Sequence, residues 1–282
     1  MSIVYTPPVK AEKEYLDRMR KSFPDKAWFV LLLKNRKDIK SIVDFGCADG
    51  SFIKFLEKRL LKVRPDIVPC VIGVEEQRTF LRMCHDNDVP AIDDIQKASD
   101  HVSPSESLLV FNSVLHEVAH YGNLAFLLHQ ARSLGFRAIA IRDMKAGGDI
   151  WRYDADMERR LRNAVGEIWM PGGKGQVTGR LDDFEKHWGS IADGYKAVHF
   201  LLKYFYEENW DRELPENYLS VDWRWLYGEI RNMGGDVAVW KEYRLPWLTK
   251  KWLNDFDDER LYDWFGLLRT HVKIFIEFPK ED

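Results

Sequence analysis

The segment Val43-Asp44-Phe45-Gly46-Cys47-Ala48-Asp49-Gly50 carries the residue types of a ligand-binding turn. Gly46 and Gly50 admit backbone torsions, and a close ligand approach, that a Cβ would block. The turn leads into Ser51-Phe52-Ile53-Lys54-Phe55-Leu56, an amphipathic helix start whose free N–H groups suit an anion such as a carboxylate. Further on, Val71-Ile72-Gly73-Val74 ends in Glu75, placed to accept hydrogen bonds from both hydroxyls of a ribose. A nicotinamide-type turn would read G-x-G-x-x-G. Here Gly46, Ala48 and Gly50 are spaced by two and Ser51 follows, so that alternative fits less well.

A second cluster is His116-Glu117-Val118-Ala119-His120, which matches H-E-x-x-H. On a helix this spacing puts both imidazoles on one face, with the glutamate placed to activate a zinc-bound water. Taken alone it reads as a zinc metallohydrolase. Against that, the motif directly follows an apolar strand, Gly122 limits the helix, and no third ligand is evident. The plainer expectation is that His116 and Glu117 line a substrate pocket, one as base or hydrogen-bonder and one as orienter. A histidine titrating near neutrality can take a proton from a hydroxyl or an amine. Asp143 and His187 complete the substrate-side candidates, and no metal is assigned.

These residues need elements to hold them. Apolar runs at 41–45, 68–74, 89–92, 107–111 and 136–141 alternate with helical segments, the rhythm of βαβ units and a parallel sheet covered on both faces. Residues 11–40, with Tyr15, Met19, Phe23, Trp28 and Leu31–Leu33 at near-helical spacing, read as one or two helices broken at Pro24. After residue 145 the alternation stops, and helices are expected near 157–168 and 195–206. Runs at 237–243 and 271–278 restore the strand rhythm. The expected organisation is a helical segment at 1–40, a cofactor core at 41–145, a helical aromatic-rich insertion at 146–222, and closing elements at 223–282.

The turn Asp44-Phe45-Gly46-Cys47-Ala48-Asp49-Gly50 resembles the first motif of the class I S-adenosylmethionine-dependent methyltransferases, D-x-G-x-G-x-G, with Ala48 in place of the middle glycine. The resemblance spans roughly 40–145 and implies a Rossmann-like α/β fold, a seven-stranded mostly parallel sheet with a helical insertion between strands five and six. It implies S-adenosyl-L-methionine as cofactor, with Asp44, Gly46, Cys47, Ala48 and Gly50 around the methionine part and Glu75 on the ribose. It also implies that Asp94 or Asp93 approaches the adenine. Phe111-Asn112-Ser113-Val114-Leu115-His116-Glu117 resembles the family's fourth motif, so Asn112 and Ser113 would border the cofactor. Some RNA 2′-O-methyltransferases of this fold hold a metal at this strand end, a pattern that Ser113, His116 and Glu117 match only in part.

Composition narrows the acceptor. Of the 11 tryptophans only Trp28 precedes residue 150, and ten follow from Trp151 onward. The chain up to residue 145 carries a charge of +3 and the remainder −6. The overall −3 disfavours duplex DNA, which calls for a strong basic excess. The Trp-, Tyr- and Arg-bearing insertion reads mostly as its own core, and where exposed as a cap that takes a small-molecule or nucleotide-like acceptor, with RNA as the alternative. The stretch Met170-Pro171-Gly172-Gly173-Lys174-Gly175-Gln176 reads as a glycine loop at the mouth of that cap. Three cysteines without C-x-x-C spacing, no apolar run of membrane length and no signal-peptide pattern point to a reducing, cytoplasmic setting. The expected reaction is O- or N-methylation, with a non-catalytic cofactor-binding protein as the non-enzyme alternative.

Overall fold

In the computed structural model, which describes residues 16–17, 19–168 and 176–279, seven strands form one sheet in the order β3-β2-β1-β4-β5-β7-β6. The strands are β1 Ser41–Phe45, β2 Val71–Val74, β3 Ala91–Ile92, β4 Ser107–Asn112, β5 Ala138–Gly148, β6 Asp236–Tyr243 and β7 Leu268–Glu277. The pairs β3-β2, β2-β1, β1-β4 and β4-β5 are parallel. Every residue of β1 is buried, as its apolar sequence requires for a strand with neighbours on both edges. Ser41, bonded to Ser107, and Asp44 are the polar exceptions in that strand.

Local chemistry explains where the strands depart from the sequence expectation. β2 begins at Val71, because Pro65 opens a 3₁₀ turn over Pro65–Cys70 that occupies the start of the expected run. β5 runs on to Gly148 and carries Arg142 and Asp143 within the strand. The expected helix at 195–206 stops at Leu201, and Lys203 then turns inward.

The chain divides into two compact units. The first comprises 1–143, 222–240 and 273–282; the second comprises 144–221 and 241–272. In the first, the helix Ser51–Leu60 buries Phe52, Ile53, Leu56 and Leu60. Each such side chain contributes about 1.5–3 kcal/mol. Before β1 the backbone is α-helical at 16–17 and 19–21 and over Phe23–Lys26, which contains Pro24, and then runs as a 3₁₀ helix, Ala27–Asn35. Phe23, Phe29, Val30 and Leu33 anchor them in the same core. Arg64, 1% exposed, clamps the segment from within by donating to the carbonyls of Leu33 (3.1 Å) and Ile39 (2.9 Å). Tyr15 and the glycine stretch 170–175 lie outside the described residues.

The second unit has its own core, including Leu161, Phe184, Phe200, Tyr204, Trp252 and Phe265. Several of the aromatics that the sequence concentrates after residue 150 are therefore core residues. Among the described residues, no helix is long and apolar enough to cross a membrane.

Candidate active site

Several buried polar groups of the first unit lie at the carboxyl ends of β1, β2 and β4 and within the neighbouring β5. Gly46 and Gly50 have φ of +74° and +73°, and between them Ala48 is held at +49°. A Cβ at Gly46 would come within 2.8 Å of Val114 Cγ2, and one at Gly50 within 2.9 Å of Val89. The turn's shape thus depends on glycine at these two positions. Cys47 contributes only backbone here. Its side chain is buried, with Sγ 3.7 Å from Cys84 Sγ, and occupies the space that a Cβ on Gly73 would need.

Glu75 faces this turn. Oε2 accepts the Ala48 N–H and Oε1 the Gln77 N–H, both at 2.9 Å. One bond per oxygen leaves lone pairs for two further donors, as a ribose diol would supply. Burial pushes the Glu75 pKa up.

The first N–H of the helix after the turn is taken from within the chain. Asp49 accepts the Ser51 N–H at 3.1 Å and the Ser51 hydroxyl at 2.5 Å, and takes an ion pair from Arg20 at 3.0 Å. A ligand carboxylate in this region could also meet a buried cation. Lys26 supplies one that the sequence reading did not single out. It is only 7% exposed, and the charges acting on it are those of Arg142, Asp44, Asp143 and Glu117. Burial, reinforced by Arg142, lowers its pKa to about 8. Next to it, burial raises the pKa of Asp44 to about 7, against the pull of Lys26 and Asn112. The only sequence signal for Lys26 is a lysine within the apolar run from Phe23 to Leu33.

Asn112, at the end of β4, is 8% exposed; its amide makes no hydrogen bond of ordinary geometry among the described residues, and its polar partner is the Asp44 carboxyl, which it helps to hold ionised. Such a group costs about 1–3 kcal/mol unless something pairs with it. Ser113 has φ of +57°, and its hydroxyl accepts from Arg142 at 2.6 Å. Arg142 also donates to Asp25 at 2.9 Å, and Lys273 reaches Asp25 at 2.5 Å. This interior network positions the residue before Lys26. Arg142 is thus a buried strut at 3% exposure, not a surface ion pair.

Asp143, fully buried, is the partner of His116. Its Oδ1 lies 2.7 Å from His116 Nδ1, and its Oδ2 accepts the N–H groups of Leu115 (2.8 Å) and His116 (3.2 Å). The orienter of the histidine is therefore Asp143 and not Glu117. Glu117 is half-buried and acts on Lys26 through its charge. His120, by contrast, is exposed with its ring 4.3 Å from that of Tyr121. The two imidazoles of H-E-x-x-H thus sit in different environments, one held by a carboxylate in the interior and one at the surface.

Asp94 spends its side chain capping the turn Ile95–Asp100 through the Gln96 N–H, 2.9 Å away. Asp93 is exposed and pairs with Lys97 at 2.6 Å, which holds its carboxyl below the ordinary range. His187 belongs to the second unit, on the helix Gln176–Trp188, with its ring 4.8 Å from that of Trp188. The structure thus brings together Asp44, Gly46, Ala48, Glu75, Asn112, Ser113, His116 and Asp143 of the expected set.

No family model matches the chain, and neither does any curated protein. Solved structures do resemble it. The plantazolicin methyltransferase BamL, crystallised with a triazolic desmethylPZN analog and SAH, is 11% identical over 96% of this chain and 90% of its own, with TM-score 0.48. PKMT2 of Rickettsia typhi, in complex with AdoHcy, is 13% identical over 87% of this chain and 50% of its own, with TM-score 0.46. A SAM-dependent methyltransferase from Archaeoglobus fulgidus is 11% identical over 94% and 93%, with TM-score 0.43. With its strand order β3-β2-β1-β4-β5-β7-β6 and a glycine turn after β1, the chain has a Rossmann-like α/β fold.

Proposed function

We propose that the chain is an S-adenosylmethionine-dependent methyltransferase that methylates an oxygen or nitrogen of a small-molecule or nucleotide-like acceptor. The observation that carries this reading is the set of buried polar groups around the glycine turn, with Asn112 and Lys26 both acting on the Asp44 carboxyl. The residues present fit the cofactor. Glu75 would hold the ribose hydroxyls, while Asp44 and Lys26 offer opposite charges to an amino-acid zwitterion. Asn112 would pair with a polar group between them.

When bound, the cofactor supplies a methyl group on a positively charged sulfur. The chain itself has to position the acceptor and accept its proton. Asp143 fixes the His116 ring with Nδ1 toward the carboxylate, so Nε2 is the nitrogen that would take a proton from a hydroxyl or amine. Asp143 also accepts two backbone N–H groups, which favours its ionised form and steadies the imidazolium that results.

Calorimetric titration with S-adenosylmethionine tests the reading. Micromolar binding abolished by Asp44→Ala or Glu75→Ala is expected, and no binding to the wild-type chain would overturn it. Incubation with methyl-labelled cofactor and fractionated cell extract then separates a methyltransferase from a protein that only binds the cofactor.

A further inference from the structure

A cavity of about 320 Å³ lies within the second unit, formed by residues that the proposed methyl transfer does not use. That volume is at the lower end of small-molecule sites. Its lining includes Trp151, 75% exposed, and Tyr195, 58% exposed. Most of this unit's aromatic side chains are buried, so two large rings left open on one cavity are the exception. Ile150, Tyr153, Asp193 and three glycines, Gly147, Gly148 and Gly194, make up the rest of the wall. Gly148 has φ of +76°, and a Cβ there would reach within 2.1 Å of the Leu267 carbonyl oxygen. A Cβ on Gly194 would meet Ile150 Cγ2 at 2.8 Å. A side chain at either position would collide with its neighbours, so this part of the wall stays free of further side chains.

One polar group at this cavity has a direction. Asp193 is exposed and spends Oδ1 on the Tyr195 N–H at 2.8 Å, capping the helix Gly194–Leu201. Oδ2 makes no hydrogen bond among the described residues and accepts only. A ligand meeting two ring faces and an acceptor would be planar, aromatic and furnished with an N–H donor.

We propose that this cavity binds an amino-bearing heteroaromatic ring of nucleobase size, stacked on Trp151 and Tyr195 with its amino group donating to Asp193. Stacking on an aromatic side chain is sequence-tolerant and worth a tenfold or larger effect per ring removed, by order of magnitude. The site lies within one unit and does not depend on the cofactor assignment.

The probe is cytidine, with uridine, which has a keto oxygen in place of the amino group, as control. Both are titrated into the full chain with saturating S-adenosylhomocysteine present, so that occupancy of a cofactor site does not contribute. Saturable cytidine binding is expected, weakened about tenfold or more in Trp151→Ala and in Tyr195→Ala. Both rings are exposed, so these variants keep the fold, which circular dichroism checks. Uridine is expected to bind more weakly, and Asp193→Asn, which preserves the helix cap, should remove the difference. No saturable cytidine binding, binding unchanged in both ring variants, or equal affinity for the two nucleosides in the wild-type chain would each overturn the assignment. If S-adenosylhomocysteine itself fails to bind, the methyltransferase reading falls while this titration keeps its meaning.

Discussion

Asp143 holds His116 at two points and its neighbour at a third: its carboxylate lies 2.7 Å from the ring Nδ1, 3.2 Å from the His116 backbone N and 2.8 Å from the Leu115 N. The same carboxylate thus orients the ring and binds the first N–H groups of the helix Leu115–Tyr121. Both residues are almost completely buried, with His116 at 1% exposure and Asp143 at 0%.

If this pair is the general base, Asp143→Asn should lower methyl incorporation about a hundredfold, within the range for a positioned acid–base group. The asparagine retains an oxygen for the backbone donors but can present an N–H to Nδ1 and select the wrong tautomer. Affinity for the cofactor should change no more than about twofold, since Asp44, Glu75 and Asn112 are untouched. Labelled-methyl transfer and calorimetry on the same preparation check this. Equal losses in transfer and in cofactor affinity would mean that the pair only supports the fold.

The Asp44–Lys26 pair predicts a pH optimum for cofactor affinity. Asp44, raised by burial to about 7, gains its charge as pH rises through that value. Affinity for the ligand's ammonium should therefore improve from pH 6 upward. Lys26, lowered by burial to about 8, loses its charge above that value, and affinity for the ligand's carboxylate should decline. Titrations of S-adenosylhomocysteine from pH 6 to pH 9 should show a maximum between the two values. Asp44→Asn should flatten the acid limb, and Lys26→Met the alkaline limb. A flat wild-type profile would remove both residues from the ligand.

The contrast between these two groups of residues shows what a sequence reveals. Asp44, Gly46, Gly50 and Glu75 were legible because a strand, a tight turn and a strand end are local features, and glycine spacing records the torsions that the turn demands. His116 and Asp143 were each legible as chemistry, but their pairing was not. They are brought together only because β4 and β5 are neighbours in the sheet, with Asn112 opposite Arg142. Lys26 was illegible for the same reason: its neighbours Asp44 and Arg142 come from other strands. The hold of Asp49 on the first N–H of the helix was missed because any carboxylate just before a helix also fits a solvated turn.

Packing under the glycine turn gives a test of coupling. A Cβ on Gly73 would lie 2.3 Å from Cys47 Sγ and 2.9 Å from Cys47 Cβ. Gly73→Ala should then destabilise the chain by about 1–3 kcal/mol, the usual cost of overpacking. Cys47→Ala removes the sulfur and leaves a small cavity of its own. The double variant should be less destabilised than the two single changes added together, by about 0.5 kcal/mol or more. Urea unfolding of the four chains measures this directly. Strict additivity would show that the Gly73 backbone, and not Cys47, sets the tolerance of the turn.

In the second unit, Lys203 is fully buried and donates to the carbonyls of Glu213 (2.7 Å) and Glu216 (2.6 Å), with its ammonium 4.7 Å from the Tyr218 ring centre. Burial lowers its pKa to about 7, against the pull of Glu216 and Glu213. In the unfolded chain the same amine holds its proton up to about 10.4. Between these values the unfolded state binds a proton that the native state does not, so the cost of burying Lys203 shrinks, and stability rises, as pH goes from 7 toward 10. Lys203→Met abolishes that pH dependence and leaves two buried carbonyls without their donor, at about 1–3 kcal/mol each. The stability gap between wild type and variant, from urea unfolding, should therefore widen between pH 7 and pH 9.5. A gap that narrows over this range would mean that Lys203 stays charged in the fold, held by Glu213 and Glu216 more strongly than burial opposes it.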